Sequence, residues 1–333
     1  MIAFPPLAPR TGLGVGLDLP WIEAPAEPVA DRRTPSGFHL DQVAGDRIAS
    51  SVVRHLEGFA DDYRAVFFSW QPKSRSRLRI DDYKGAWDSA FDGLPASYAR
   101  GLHQTTFNLG ALEAYDRRDI CRFTNDLARR YDLKWVNEDV GLWSINGRPL
   151  PYPLAPWLTP EGLKATIANT REVQAALEIP LLAEFPGFSE GTSVYVGKID
   201  AYDFFAELAV ATDVAVTLDL GHLLSWRWVR GHRGEALYGD LERLPLAHCA
   251  ELHLSGCAVD GHAFFDYHHG VLMAEQLELL RRLLPLCPEL RLITYEDPAL
   301  DGFGELLSTA RPGFDELQSI VGRWAHPTEE AAP

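Results

Sequence analysis

Eight short apolar runs, separated by segments of helical periodicity, constrain this 333-residue chain more than any other feature. They are 12–18 (GLGVGLD), 65–70 (AVFFSW), 101–107 (GLHQTTF), 134–142 (KWVNEDVGL), 180–185 (PLLAEF), 214–220 (VAVTLDL), 249–255 (CAELHLS) and 291–296 (RLITYE). Several are almost continuously apolar, the pattern of parallel strands buried on both faces. Between them, Ile120, Phe123, Leu127 and Tyr131 fall on one helical face. A second helix opens with Thr159 as N-cap and Pro160 at its first position, and aligns Leu163, Ile167 and Thr170. A third aligns Leu277, Leu280 and Leu284 before Pro285 stops it. Eight β-then-α units in series predict an α/β fold of the (β/α)8 TIM-barrel type rather than an open doubly wound sheet. The length fits one domain over 1–333, with a core of about 11–324 and a frayed tail from 325. Residues 20–37 read as a long loop, and 144–158, with four prolines, as a second.

Composition excludes several function classes. A net charge of −16 is unsuited to nucleic acid, where affinity comes from Lys and Arg displacing counterions, and equally to an anionic membrane. No run of about 18 apolar residues is present, and MIAFPPLAPR does not read as a secretory signal, so a cytoplasmic location is expected. Cys121, Cys249, Cys257 and Cys287 are scattered and form no CxxC pair, which argues against a disulfide framework and a structural zinc site. GLGVG at 12–16 is not followed by a helix-opening segment, and no Gly-x-Ser-x-Gly elbow occurs.

In a barrel of this kind, reactive side chains sit where strands run out into the following loops. Ionisable residues recur at that position: His103, then Asn137, Glu138 and Asp139, then Glu184, Asp219 with His222, His253, Asp266 with His268, and Glu296 with Asp297. Burying unpaired charge in otherwise apolar runs is costly, so the repetition calls for a partner. Imidazoles suit zinc, iron, copper and nickel, and bridging carboxylates hold two cations close while offsetting their repulsion. The set is too large for one tetrahedral ion, and two or three metals fit the count. Alternation along the fourth strand puts Asn137 and Asp139 on the face opposite Glu138 and leaves open which face carries the ligand. Asp297, before Pro298, reads equally as a helix cap. His39, His55, His232, His248, His262, His269 and His326 show no such placement and read as structural. Trp226 and Trp228 are candidates for a pocket wall.

The order Glu184, Asp219-x-x-His222, His253, Asp266-x-His268, Glu296 resembles the metal-ligand order of the xylose-isomerase-like barrel superfamily. The resemblance extends to its multinuclear non-heme iron-dependent oxidative enzymes, the family of the methanobactin-precursor oxidase. It runs through GLGVGL at 12–17, LHQTTFNLG at 102–110, VNEDVGLW at 136–143, PLPYPL at 149–154, LLAEF at 181–185, LDLGH at 218–222, ELHLSG at 251–256 and DYHHGV at 266–271. It implies two or three iron ions, mixed Fe(II) and Fe(III), that use dioxygen to oxidise a side chain, often cysteine, of a ribosomally made precursor peptide. It also implies a partner protein that presents the leader peptide. By motif, it makes His103, Glu138, Asp219, His222, His253, Asp266, His268 and Glu296 metal ligands, and Glu184 a ligand or its neighbour. Glu138, Asp139 and His268 are the residues it places closest to the chemistry. The chain departs from the family pattern around Asp18 and Trp21, in FFSWQP at 67–72, and where Asp139 and Phe185 replace a usual His and Asn. Two rival readings use the same barrel: a zinc or manganese hydrolase or sugar isomerase, and a binding subunit without catalysis.

Overall fold

A computed structural model describes residues 2–18, 50–70, 88, 91–92, 94–188 and 195–326. The predicted loop 20–37 lies outside the described residues, as do Trp21, Gln71, Pro72 and the tail beyond 326. Eight parallel strands close into a barrel: β1 (Gly12–Asp18), β2 (Tyr63–Trp70), β3 (Ala99–Gln104), β4 (Leu133–Asp139), β7 (Leu181–Glu184), β8 (Ala215–Asp219), β9 (Cys249–Leu254) and β12 (Leu292–Glu296). Each coincides with a predicted run to within a few residues. Two hairpins, β5 (Leu142–Ile145) with β6 (Arg148–Leu154) and β10 (Cys257–Asp260) with β11 (Ala263–Asp266), are inserted after β4 and β9. Segment 144–158 is therefore no plain loop; most of it is the first hairpin. Its prolines at 149, 151 and 153 alternate, so their missing N–H groups all fall on one edge of a two-stranded ribbon, where no ladder bond is lost.

The helices are α1 (Ser50–Gly58), α2 (Arg118–Tyr131), α3 (Pro160–Ala176), α4 (Ala201–Thr212), α5 (Leu220–Val229), α6 (Ala274–Leu283) and α7 (Arg311–Ala325). Thr159 caps α3 as predicted, its side chain accepting from the Gly162 N–H. Alternate strand residues face the helices and form the larger core, including Val15, Phe68, Leu102, Val136, Val216, Leu252 and Ile293. Trp226 is buried in this layer against Phe188 and Tyr195. Trp228 donates its indole N–H to the His262 carbonyl, with the Arg233 guanidinium 3.5 Å from its ring centre. Both tryptophans thus serve packing and hairpin anchoring rather than a pocket wall.

The barrel interior is layered. Ala65, Trp135, Leu182, Ala215, Ala250 and Leu292 fill one end, and Ile2, Phe4 and Leu7 pack against them. That plug keeps water from the base of the barrel and fixes the strands above it. Next comes Phe67, whose ring occupies the space beside Gly16; a Cβ at Gly16 would lie 2.3 Å from that ring. The register then pairs Asp139 with Glu184 and Asp219 with His253. Polar side chains from neighbouring strands so meet at one height, at the C-terminal mouth.

Candidate metal centre

Nine buried or nearly buried side chains converge at this height. His103 Nε2 lies 3.0 Å from Glu184 Oε2 and 3.8 Å from Asp139 Oδ2. His253 Nδ1 lies 3.2 Å from Glu184 Oε1 and 3.0 Å from Glu296 Oε1. His222 Nδ1 is 3.5 Å from Asp139 Oδ1, and its Nε2 is 3.1 Å from Asp266 Oδ2. His268 places Nε2 3.7 Å from Asp266 Oδ2 and Nδ1 3.7 Å from Glu296 Oε2. Asp219 caps α5, with Oδ1 accepting from the His222 N–H at 2.7 Å. Four groups of three form, with ligand atoms mutually within 4.8 Å: His103, Glu184, His253; Asp139, Glu184, His222; His222, Asp266, His268; and Asp219, His253, Glu296.

Eight of the nine predicted ligands lie in these groups, and Asp139 joins them. Glu138 does not. It follows Asn137 and precedes Asp139, both of which face the barrel interior, so alternation turns it the other way. Its Oε2 accepts from the backbone N–H groups of Thr106 at 2.9 Å and Phe107 at 2.6 Å. It anchors the loop after β3 instead of facing the cluster, and burial raises its pKa to about 8 against the pull of those N–H groups and Arg117. The departure at Phe185 also turns away, its ring packing on Tyr202 and Phe205. Only its carbonyl reaches the site, accepting from His222 Nδ1 at 2.7 Å.

That last bond commits Nδ1 to the Phe185 carbonyl and leaves Nε2 as the ring atom that faces Asp266. A histidine that ligates a metal normally donates its other N–H in this way. His253 is placed similarly, with Nε2 3.3 Å from Glu251 Oε1 and Nδ1 toward Glu184 and Glu296. Glu251 is held by Asn137 Nδ2 at 3.1 Å and Thr294 Oγ at 2.5 Å. Sequence reading missed Glu251 and Ser255, although both share the parity of His253 in CAELHLS and so had to face the interior with it. Asp297 also joins, 3.3 Å from His268 Nδ1.

The electrostatics are those of a site built for positive charge. Burial opposes protonation of His103, but Glu184, Asp139 and Glu296 outweigh it and bring its pKa up to about 9. Burial raises Asp139 to about 6 and Asp219 to about 7, whereas His253 and His103 overcome burial at Glu184 and hold it well below the carboxylate range. Asp139 Oδ1 and Asp219 Oδ2 are buried with no hydrogen-bond partner among the described residues, and Asp266 Oδ2 meets only imidazole nitrogens. Orphaned buried carboxylate oxygens are costly unless a cation meets them. Imidazole nitrogens with carboxylate oxygens are a donor set that iron, zinc and manganese accept, so the residues fit metal ions.

Known proteins share the sequence pattern and the barrel of this chain. The family profile described as "RiPP precursor modification enzyme MbnB/TglH/ChrH" matches residues 79–311, more than two thirds of the chain. (RiPPs are ribosomally synthesised and post-translationally modified peptides.) A xylose isomerase-like TIM barrel protein from Mycobacterium smegmatis, solved in complex with magnesium, is similar with a TM-score of 0.50 at 14% identity, covering 98% of this chain and 100% of that one. A xylose isomerase domain protein from Alicyclobacillus acidocaldarius subsp. acidocaldarius gives 0.49 at 14% identity, covering 94% and 98%. At 14% identity the likeness to the Mycobacterium smegmatis protein speaks for the fold alone. No curated protein sequence matches the chain. From the extent of the profile match, the chain belongs to the MbnB/TglH/ChrH family of RiPP precursor modification enzymes.

Proposed function

We propose that the chain is a multinuclear iron-dependent oxidase that uses dioxygen to modify a side chain, most simply a cysteine, of a ribosomally made precursor peptide. The observation that carries this reading is the overlap of four ligand groups, with the two oxygens of Glu184 turned to different imidazoles, His103 and His253. One cation cannot engage all nine side chains, whereas two or three can, with carboxylates between them. Bound iron would supply Lewis acidity that deprotonates a coordinated thiol and redox capacity toward dioxygen.

The chain's own residues set the conditions for that chemistry. The Phe185 carbonyl and Glu251 orient the His222 and His253 rings. Phe67, its ring 5.7 Å from His103 and 5.2 Å from His253, closes the floor of the site to water. Asp139, between His103 and His222, supplies oxygen where a histidine is usual in the family, which gives that position a harder donor and more negative charge. His268, less enclosed than the other three imidazoles and paired with Asp297, is the residue suited to exchange a proton with a peptide at the mouth.

We place the reaction in the cytoplasm, where precursor peptides are made. Among the described residues no helix is long and apolar enough to cross a membrane. We also assign a leader-binding partner protein, as the family membership suggests. The test is oxygen uptake by anaerobically purified, iron-loaded protein given its precursor peptide and partner. Uptake with a mass change on the peptide, both abolished when the target cysteines are replaced by serine, is expected. Turnover without oxygen would instead favour the hydrolase or isomerase reading with zinc or manganese, and no turnover with any metal the binding-subunit reading.

A further inference from the structure

The Asp266 carboxylate is held from one side only. Its Oδ1 accepts from Ser255 Oγ at 2.8 Å and from Cys257 Sγ at 3.4 Å. Its Oδ2 meets no hydroxyl, thiol or backbone donor and faces only imidazoles, Nε2 of His222 at 3.1 Å and Nε2 of His268 at 3.7 Å. Ser255, Cys257 and Asp266 are all buried. A hydroxyl and a thiol each have one hydrogen to give, and both give it to the same oxygen. The carboxylate is thereby divided: one oxygen is occupied by protein donors and the other is turned toward two imidazoles.

Three neighbouring segments produce this division. Ser255 follows β9 immediately, Cys257 opens β10 and Asp266 closes β11. In the hairpin ladder Cys257 stands directly opposite Asp266, so thiol and carboxylate emerge on one face. The hairpin thus returns Asp266 to the mouth twelve residues after β9 ends at Leu254. Helix α5 covers the junction at Gly221, where a Cβ would lie 2.7 Å from Cys257 Sγ and 3.2 Å from Asp266 Oδ1. The absence of a side chain there lets thiol, carboxylate and helix start meet.

We propose that Ser255 and Cys257 are positioning residues that fix Asp266 as a one-oxygen ligand, through Oδ2, of the cation it shares with His222 and His268. The proposal rests on the metal-centre reading above. Neither residue touches the cation; both act through Asp266. Removing both donors frees the carboxylate to rotate, and it loosens one cation position while the group of His103, Glu184 and His253 at the other side of the site is left as it was.

The experiment loads full-length wild type, S255A/C257A and C257S with ferrous iron under anaerobic conditions and passes each over a chelating resin. Iron per chain is then counted by elemental analysis and resolved into species by Mössbauer spectroscopy. The double alanine variant is expected to lose one iron equivalent, with affinity at that position lowered roughly 10- to 100-fold, as for other residues that orient a ligand. The remaining iron species is retained and serves as the internal control for folding. C257S, whose hydroxyl also donates, is expected to match wild type. A double variant that keeps its full iron complement and wild-type chelator resistance overturns the proposal, as does one that loses all iron evenly. A wild type that takes up no iron, zinc or manganese overturns the metal-centre reading and the proposal with it.

Discussion

At the scale of single residues, parity along a strand decides which carboxylates serve the site. Asn137, Glu138 and Asp139 are consecutive, and only the first and third face the interior. Motif resemblance selects Glu138, while geometry selects Asp139, and the two assignments differ in the laboratory. Glu184→Gln, at a residue that belongs to two ligand groups, is expected to release more metal per chain than a substitution at a residue of one group, such as Asp139→Asn, by elemental analysis. Glu138→Ala is expected to keep its metal but to lose roughly 2 to 6 kcal/mol of stability in denaturant titration, because two backbone donors lose their acceptor. A Glu138→Ala protein of wild-type stability that has lost metal would reverse the assignment. Eight of the nine clustered side chains were legible because each ends or follows a recognisable strand. Glu251 and Ser255 were not singled out, because a motif search stops at the histidine and ignores its i−2 and i+2 neighbours.

At the scale of elements, the eight barrel strands were readable from apolar run length, but the two hairpins were not. Prolines hid β5 and β6, since a proline is expected to break a strand and here does so only along a free edge. The second hairpin did carry a signal, Asp260 and Gly261 between two apolar stretches, with Gly261 at φ +59°. Helix α5 begins at the site and must approach the hairpin closely. Gly221→Ala is therefore expected to cost about 1–3 kcal/mol from overpacking, read as a lower thermal midpoint, together with reduced metal occupancy. Helix α1 is tied to the loop after β12 through His55, whose ring nitrogens meet the Gly304 carbonyl at 3.2 Å and the Tyr63 hydroxyl at 3.0 Å. Burial lowers the His55 pKa from 6.5 to about 4, with the Gly304 carbonyl opposing. The unfolded chain therefore takes up this proton first, and stability is lost as pH falls from about 6.5 toward 4. The loss attributable to this residue is roughly 3 kcal/mol, and a His55→Gln variant should lack that part of the acid sensitivity. Equal acid sensitivity of the two proteins in urea titrations at pH 7 and pH 4.5 would contradict this.

At the scale of the whole molecule, the fold concentrates five carboxylates and four imidazoles at one end of a barrel whose other end is plugged by apolar side chains. Without cations, that concentration is held together by shared protons: the imidazoles titrate high, and Asp139 and Asp219 are raised into the neutral range. Cation binding to the folded state alone should therefore raise stability, by about 4 kcal/mol for a free cation concentration a thousandfold above the dissociation constant. Chelation is expected to lower the thermal midpoint, and restoring the metal to raise it, with protons released on binding. An unchanged midpoint on chelation would mean that the cluster is satisfied without metal. Whether this mouth holds more than one iron is decided by elemental analysis paired with Mössbauer spectroscopy of protein from cells grown on iron-57 and purified without oxygen. Two or three irons per chain, largely lost in His253→Ala, are the expected result. A single cation per chain, zinc or manganese in place of iron, or no bound metal at all would contradict it.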